Sequence, residues 1–159
     1  RTRSRLSMSH DPSGLDVPTD PAGVAAFIEE FASQRLPKSR WTHHAHLLAG
    51  YWYLTRHPPE QALAIMRERI RAHNESVGTP NTDSSGYHET ITRLYLDGIA
   101  AHMARNRDAT FEDSLQRLLR GSLADSGWPL KYYSRARLFS ATARREWLEP
   151  DLQPPERDG

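Results

Sequence analysis

Prolines and helix-capping residues divide this chain into helix-sized pieces, and no other feature restricts its fold as much. Breaks fall at Asp20-Pro21, Leu36-Pro37 and His57-Pro58-Pro59. Asp20 can accept hydrogen bonds from the unpaired amides of a helix start, and a proline at the first helical position loses no bond there. Between the breaks, apolar residues recur every three or four positions: Val24, Phe27, Ile28 and Phe31, then Leu47, Leu48, Tyr51 and Leu54, then Ala62, Met66 and Ile70. That period predicts three amphipathic helices: one from Pro21 to the stop at Leu36-Pro37, one from Ser39 or Arg40 to His57, and one from Pro59 to near Asn74.

A polar loop over 78–86 follows. A fourth helix is expected from about Tyr87, behind Ser84 or Ser85 as cap, with Ile91, Leu94, Tyr95, Ile99 and Met103 on its stripe. A fifth fits 110–123, with Thr110 as N-cap and Asp113 in the capping-box position. The segment 127–147 mixes Trp128, Tyr132, Tyr133, Leu138 and Phe139 with basic residues, and reads as a loop ending in one short helix near 141–148. Period-two alternation and internal repeats are both missing. The expected architecture is therefore all-α: a single-domain bundle of four to six helices over 21–150, behind a flexible lead-in (1–20) and ahead of a tail (151–159).

Composition narrows the function classes. A chain of 159 residues supports one core. A formal charge of +1, with both signs interspersed, gives no basic stripe for a nucleic acid. No run approaches the roughly 18 apolar residues of a membrane span, so a cytoplasmic protein with no membrane partner is expected. Cysteine is absent, which leaves nitrogen and oxygen donors for any metal.

Against that background two histidine clusters stand out, Trp41-Thr42-His43-His44-Ala45-His46-Leu47 and Gly86-Tyr87-His88-Glu89-Thr90, each opening a helical segment. His43 and His46 are three apart and share a helix face, so their nitrogens can aim at one point. On a helical wheel His44 aligns with Leu48 and Tyr51 and is the one expected to face inward. His88 shares the stripe of Ile91, Tyr95 and Ile99. If the starts of the second and fourth helices meet, His43, His46 and His88 converge with Glu89 beside them, although two helix N-termini would oppose a cation there.

The residues also resemble a family of small helical bacterial proteins. The likeness is carried by Trp41-x-His43-x-x-His46-Leu47, by Trp52-Tyr53-Leu54, by Gly86-Tyr87-His88-Glu89-Thr90-Ile91-Thr92, and by Tyr132-Tyr133-Ser134-Arg135 with Leu138-Phe139-Ser140. That family pairs an aromatic-x-His-x-x-His-Leu/Val motif with a Tyr-His-Glu-Thr motif. The resemblance spans about residues 25–152 and groups His43, His46, His88 and Glu89, favouring His43 and His46 over His44. It implies no particular reaction. In architecture and ligand type alone the chain is similar to the DinB-like helical metalloproteins.

Two functions are expected on these grounds. One is a metal-dependent enzyme acting on a small molecule: a mononuclear divalent transition metal (iron, zinc or manganese) on His43, His46 and His88, with Glu89 as base or fourth ligand. It would be a lyase, hydrolase, transferase or non-heme iron oxygenase. Asn81, Arg93, Lys131 and Arg137 are its substrate contacts, and a homodimer is compatible with it. The other is a non-catalytic binding or oligomerisation module in which the same histidines and Glu89 form a buried hydrogen-bond network.

Overall fold

The computed structural model describes residues 14–155. Among them it shows seven α-helices and no strand, the all-α architecture expected. Five carry the body: α1 (Pro21–Ala32), α2 (His43–Leu54), α3 (Pro59–Ser76), α4 (Glu89–Arg105) and α5 (Phe111–Leu119). Short turns of 3-10 helix at Lys38–Arg40, Ser122–Ala124 and Trp128–Lys131 join them to the small helices α6 (Arg135–Leu138) and α7 (Ala141–Arg145).

Local chemistry sets most helix starts. Asp20 accepts the Gly23 amide at 2.8 Å, and Thr110 accepts that of Asp113 at 3.1 Å. Several boundaries differ from expectation: α5 ends at Leu119 and not at 123, and the 127–147 segment carries α6 as well as the one short helix expected. Helix α1 ends at Ala32, where Gln34 turns to φ 64°. The 3-10 turn and the extended Thr42 delay α2 until His43, so Thr42 is its cap and accepts the Ala45 amide. Helix α4 is capped by His88, whose Nδ1 accepts the Ile91 amide at 3.1 Å, and not by Ser84 or Ser85.

Helix α2 is the centre of the bundle and packs against α1, α3, α4 and α5. Ala45, Leu47, Leu48, Ala49, Gly50, Tyr51 and Tyr53 are all buried, so it has almost no solvent face. Gly50 permits the approach of α4: a Cβ there would stand 2.9 Å from Ile99 Cδ1 and 3.1 Å from Leu96 Cδ2. Residues 1–13 of the expected lead-in and 156–159 of the expected tail lie outside the described residues, and the described parts on either side of 21–150 are packed. Leu15 and Val17 are core residues, while Leu152 N–H donates to the Tyr132 carbonyl and Asp151 accepts from the amide and hydroxyl of Ser134.

Candidate functional site: an apolar cavity beside His46

The first turns of α2 and α4 carry the expected site residues, and the structure sends them to different tasks. His88 has both ring nitrogens engaged. Its Nδ1 caps α4, and its Nε2–H donates to the Leu138 carbonyl at 2.7 Å. Burial lowers its pKa, against the pull of that carbonyl.

Glu89 turns away to α3, where Arg67 grips it with two bonds of 2.9 and 2.8 Å and the Tyr87 hydroxyl donates a third at 2.8 Å. Burial alone would raise the Glu89 carboxyl. The bonds from Arg67 and Tyr87 outweigh it and hold the pKa below its ordinary value.

His43 and His46 do face one space. Together with Gly50 and Met66, and with Ile91, Tyr95 and Ile99 from α4, they line a cavity of about 330 Å³. Pro129, Leu130 and Leu138 from the C-terminal segment form its far wall, and Phe139 stands at the rim with 52% of its surface exposed. His43 Nε2–H donates to the Leu123 carbonyl at 2.8 Å, and its ring meets Tyr95 edge-on. His46 Nδ1–H donates to the Thr42 carbonyl at 2.9 Å. A carbonyl can only accept, so this bond fixes the tautomer and leaves Nε2 of His46 with an open lone pair. Burial drives the His46 pKa down to about 4, so the ring is neutral at pH 7.

Trp41 holds that ring in place, packing against His46 at 4.0 Å with the rings tilted by 35° and stacking on Phe31 at 4.3 Å. On the far side of His46 lies a second space of about 380 Å³, more polar, lined among others by Trp41, His73, Asn74, Tyr87 and His88. His46, Ile70, Ile91 and Thr92 line both spaces.

His44, expected to face inward, instead pairs with Asp16 at 3.1 Å and leaves 24% of its side chain exposed. The wheel misplaces it because α2 is buried on nearly every side, so an apolar stripe no longer marks one inner face. The expected substrate contacts are elsewhere as well. Asn81 staples the 78–86 loop: its Oδ1 accepts from Asn74 Nδ2 and the Tyr87 amide, and its Nδ2 donates to the Arg71 carbonyl. Arg93 lies over Trp147, Lys131 over Tyr132, and Arg137 donates to the Glu149 carbonyl. None of these four lines the cavity.

His73, to which sequence reasoning gave no role, is fully buried on α3, near Trp41 and Phe31, with Nε2–H donating to the Leu36 carbonyl. Its signal was the spacing Met66, Ile70, His73, one apolar stripe of α3. His102 likewise joins α4 to α5 through the Ser114 carbonyl.

The four expected ligands do not converge in this arrangement. Glu89 is neutralised by Arg67 and His88 has no nitrogen to give, which leaves two imidazoles. Among the described residues no group of three or more His, Asp or Glu side chains is placed to hold an ion. Compared with known proteins, the chain matches no family model, no curated protein and no solved structure.

Proposed function

We propose that this chain is a helical small-molecule-binding module whose ligand occupies the apolar cavity between α2, α4 and the C-terminal segment. The observation that carries this reading is the cavity itself, lined mostly by apolar side chains, with the uncommitted Nε2 of His46 on one of the few polar side chains that line it. A concave apolar space with a few placed polar groups is the usual make-up of a ligand site. His88 and the Arg67–Glu89–Tyr87 cluster are its frame, as in the buried-network reading of the sequence. Binding is favoured over proton transfer because a general base works best with a pKa near the working pH, and His46 sits well below it.

Naphthalene, small and apolar, is the probe that tests the reading, with quenching of tryptophan fluorescence as the signal. Saturable binding of one molecule per chain is expected, lost in Leu130→Trp, which fills the cavity from its far wall. An absence of saturable binding, or binding indifferent to Leu130→Trp, overturns it.

One observation supports the metal-dependent reading instead: His43 and His46 face the same cavity from one helix turn. Metal content of untagged protein separates the two. Stoichiometric metal that disappears in His46→Ala favours the enzyme, and metal-free protein that binds naphthalene favours the module.

A further inference from the structure

The cavity wall has a chemical bias that names the class of its ligand, an inference resting on the binding reading above. Besides Ser126, whose residue is exposed, four polar side chains line it. Each gives its proton to a backbone carbonyl: His43 Nε2–H to Leu123 at 2.8 Å, His46 Nδ1–H to Thr42 at 2.9 Å, Thr92 Oγ1–H to His88 at 2.7 Å, and the Tyr95 hydroxyl to Asp125 at 3.3 Å. Since carbonyl oxygens cannot donate, the direction of all four bonds is settled by chemistry. What these groups have left for a ligand is lone pairs. No Lys, Arg, Asp or Glu lines the space.

Apart from the exposed hydroxyl of Ser126, the wall only accepts and carries no charge, and it discriminates three ways. An anion meets lone pairs, with no donor but that exposed hydroxyl. A cation finds acceptors but no counter-charge to offset its lost hydration. An uncharged molecule with one O–H or N–H satisfies an acceptor and buries its body against Met66, Ile91 and Ile99. Of the four acceptors, His46 Nε2 is the best placed. It is the ring nitrogen farther from its own backbone and belongs to a ring packed against Trp41, whereas His43 has given its distal nitrogen to Leu123.

We propose that the cavity selects an uncharged, mainly apolar molecule bearing a hydrogen-bond donor, such as a phenolic hydroxyl or a ring N–H, and that Nε2 of His46 receives that donor.

Three compounds of one shape test the proposal by calorimetric titration of the native protein at pH 7. They are 2-naphthol, which donates, 2-methoxynaphthalene, which only accepts, and 2-naphthoate, which is charged. One net hydrogen bond is worth up to about tenfold in affinity, so 2-naphthol is expected to bind about tenfold tighter than 2-methoxynaphthalene. 2-Naphthoate should bind more weakly than either. In His46→Phe, which keeps an aromatic ring against Trp41 and removes the acceptor, the two neutral compounds should bind alike.

Equal affinity of the neutral pair in the native protein overturns the proposal while leaving the binding reading intact. Tightest binding by 2-naphthoate, or a naphthol preference that survives in His46→Phe, has the same effect. Failure of all three to bind overturns both. The comparison in the native protein needs no variant to fold.

Discussion

The imidazole of His88 bonds Leu138 at 2.7 Å, and this contact fastens the C-terminal segment to the first turn of α4. The same ring closes the start of α4 through its other nitrogen. Thr90 adds to the fastening, donating to the Glu146 carbonyl and accepting the Leu148 amide. Leu138 is part of the cavity wall, so His88 reaches the ligand space through the segment it holds.

Removing both bonds in His88→Ala should lower stability by about 2–3 kcal/mol: roughly 1 for the cap and 1–2 for the buried carbonyl left unpaired. His88→Asn keeps a capping oxygen but does not reach Leu138, and should recover only the first part. Urea midpoints of the two variants measure the difference. Equal losses would mean that the Leu138 bond adds nothing.

Stability should fall as the solution is acidified. Unfolded histidine binds a proton below about pH 6.5, while burial holds folded His46 neutral down to about pH 4. Between those values the unfolded chain carries more protons. The contribution of His46 is therefore whole above pH 6.5, declines as pH drops, and is lost near pH 4. With water in the cavity screening the ring, it amounts to about 2 kcal/mol. His88 and His102, also lowered, act in the same direction. Urea titrations from pH 4.5 to 7 should show a shallower slope in His46→Phe than in the parent, and identical slopes would refute the assignment.

Glu89→Gln removes the charge that Arg67 grips. Arg67 keeps 41% of its side chain in water and can be rehydrated, so the expected cost is about 1–2 kcal/mol, below that of breaking a fully buried pair. Naphthalene affinity should stay within twofold, because Glu89 does not line the cavity. A larger loss of affinity than of stability would return Glu89 to the site.

Gly50→Ala tests the contact between α2 and α4. The added methyl meets the movable end of Ile99, which itself lines the cavity, and alanine favours the helix by about 1 kcal/mol. Net stability should change by less than about 1 kcal/mol, while naphthalene affinity falls severalfold as Ile99 is pushed into the space. Unchanged affinity would place the ligand away from this wall.

The helical architecture and the starts of α1, α3 and α5 were readable because their causes are local: a proline, a cap, a stripe of apolar residues within a few turns. His43 and His46 were readable as a pair for the same reason, three-residue spacing on one helix. The tasks of the other site residues were hidden by distance. The partner of His88 is 50 residues away, and that of Glu89 is 22. A Tyr-His-Glu sequence at a helix start looks alike whether it faces a ligand or a neighbouring helix. His44 was misplaced because the burial of α2 on nearly all sides erases the contrast that a wheel depends on.

The far wall of the cavity also has a meaning in time. A ribosome delivers residues 43–99, with α2 and most of α4, well before Pro129, Leu130, Leu138 and the closing bonds of residues 146–152. Until those residues emerge, the apolar side chains of α2 and α4 that line the cavity have no far wall to cover them. Synthesis of residues 129–152 thus turns an open apolar face into a pocket, and the need to shield that face from other surfaces should end once this clasp has formed.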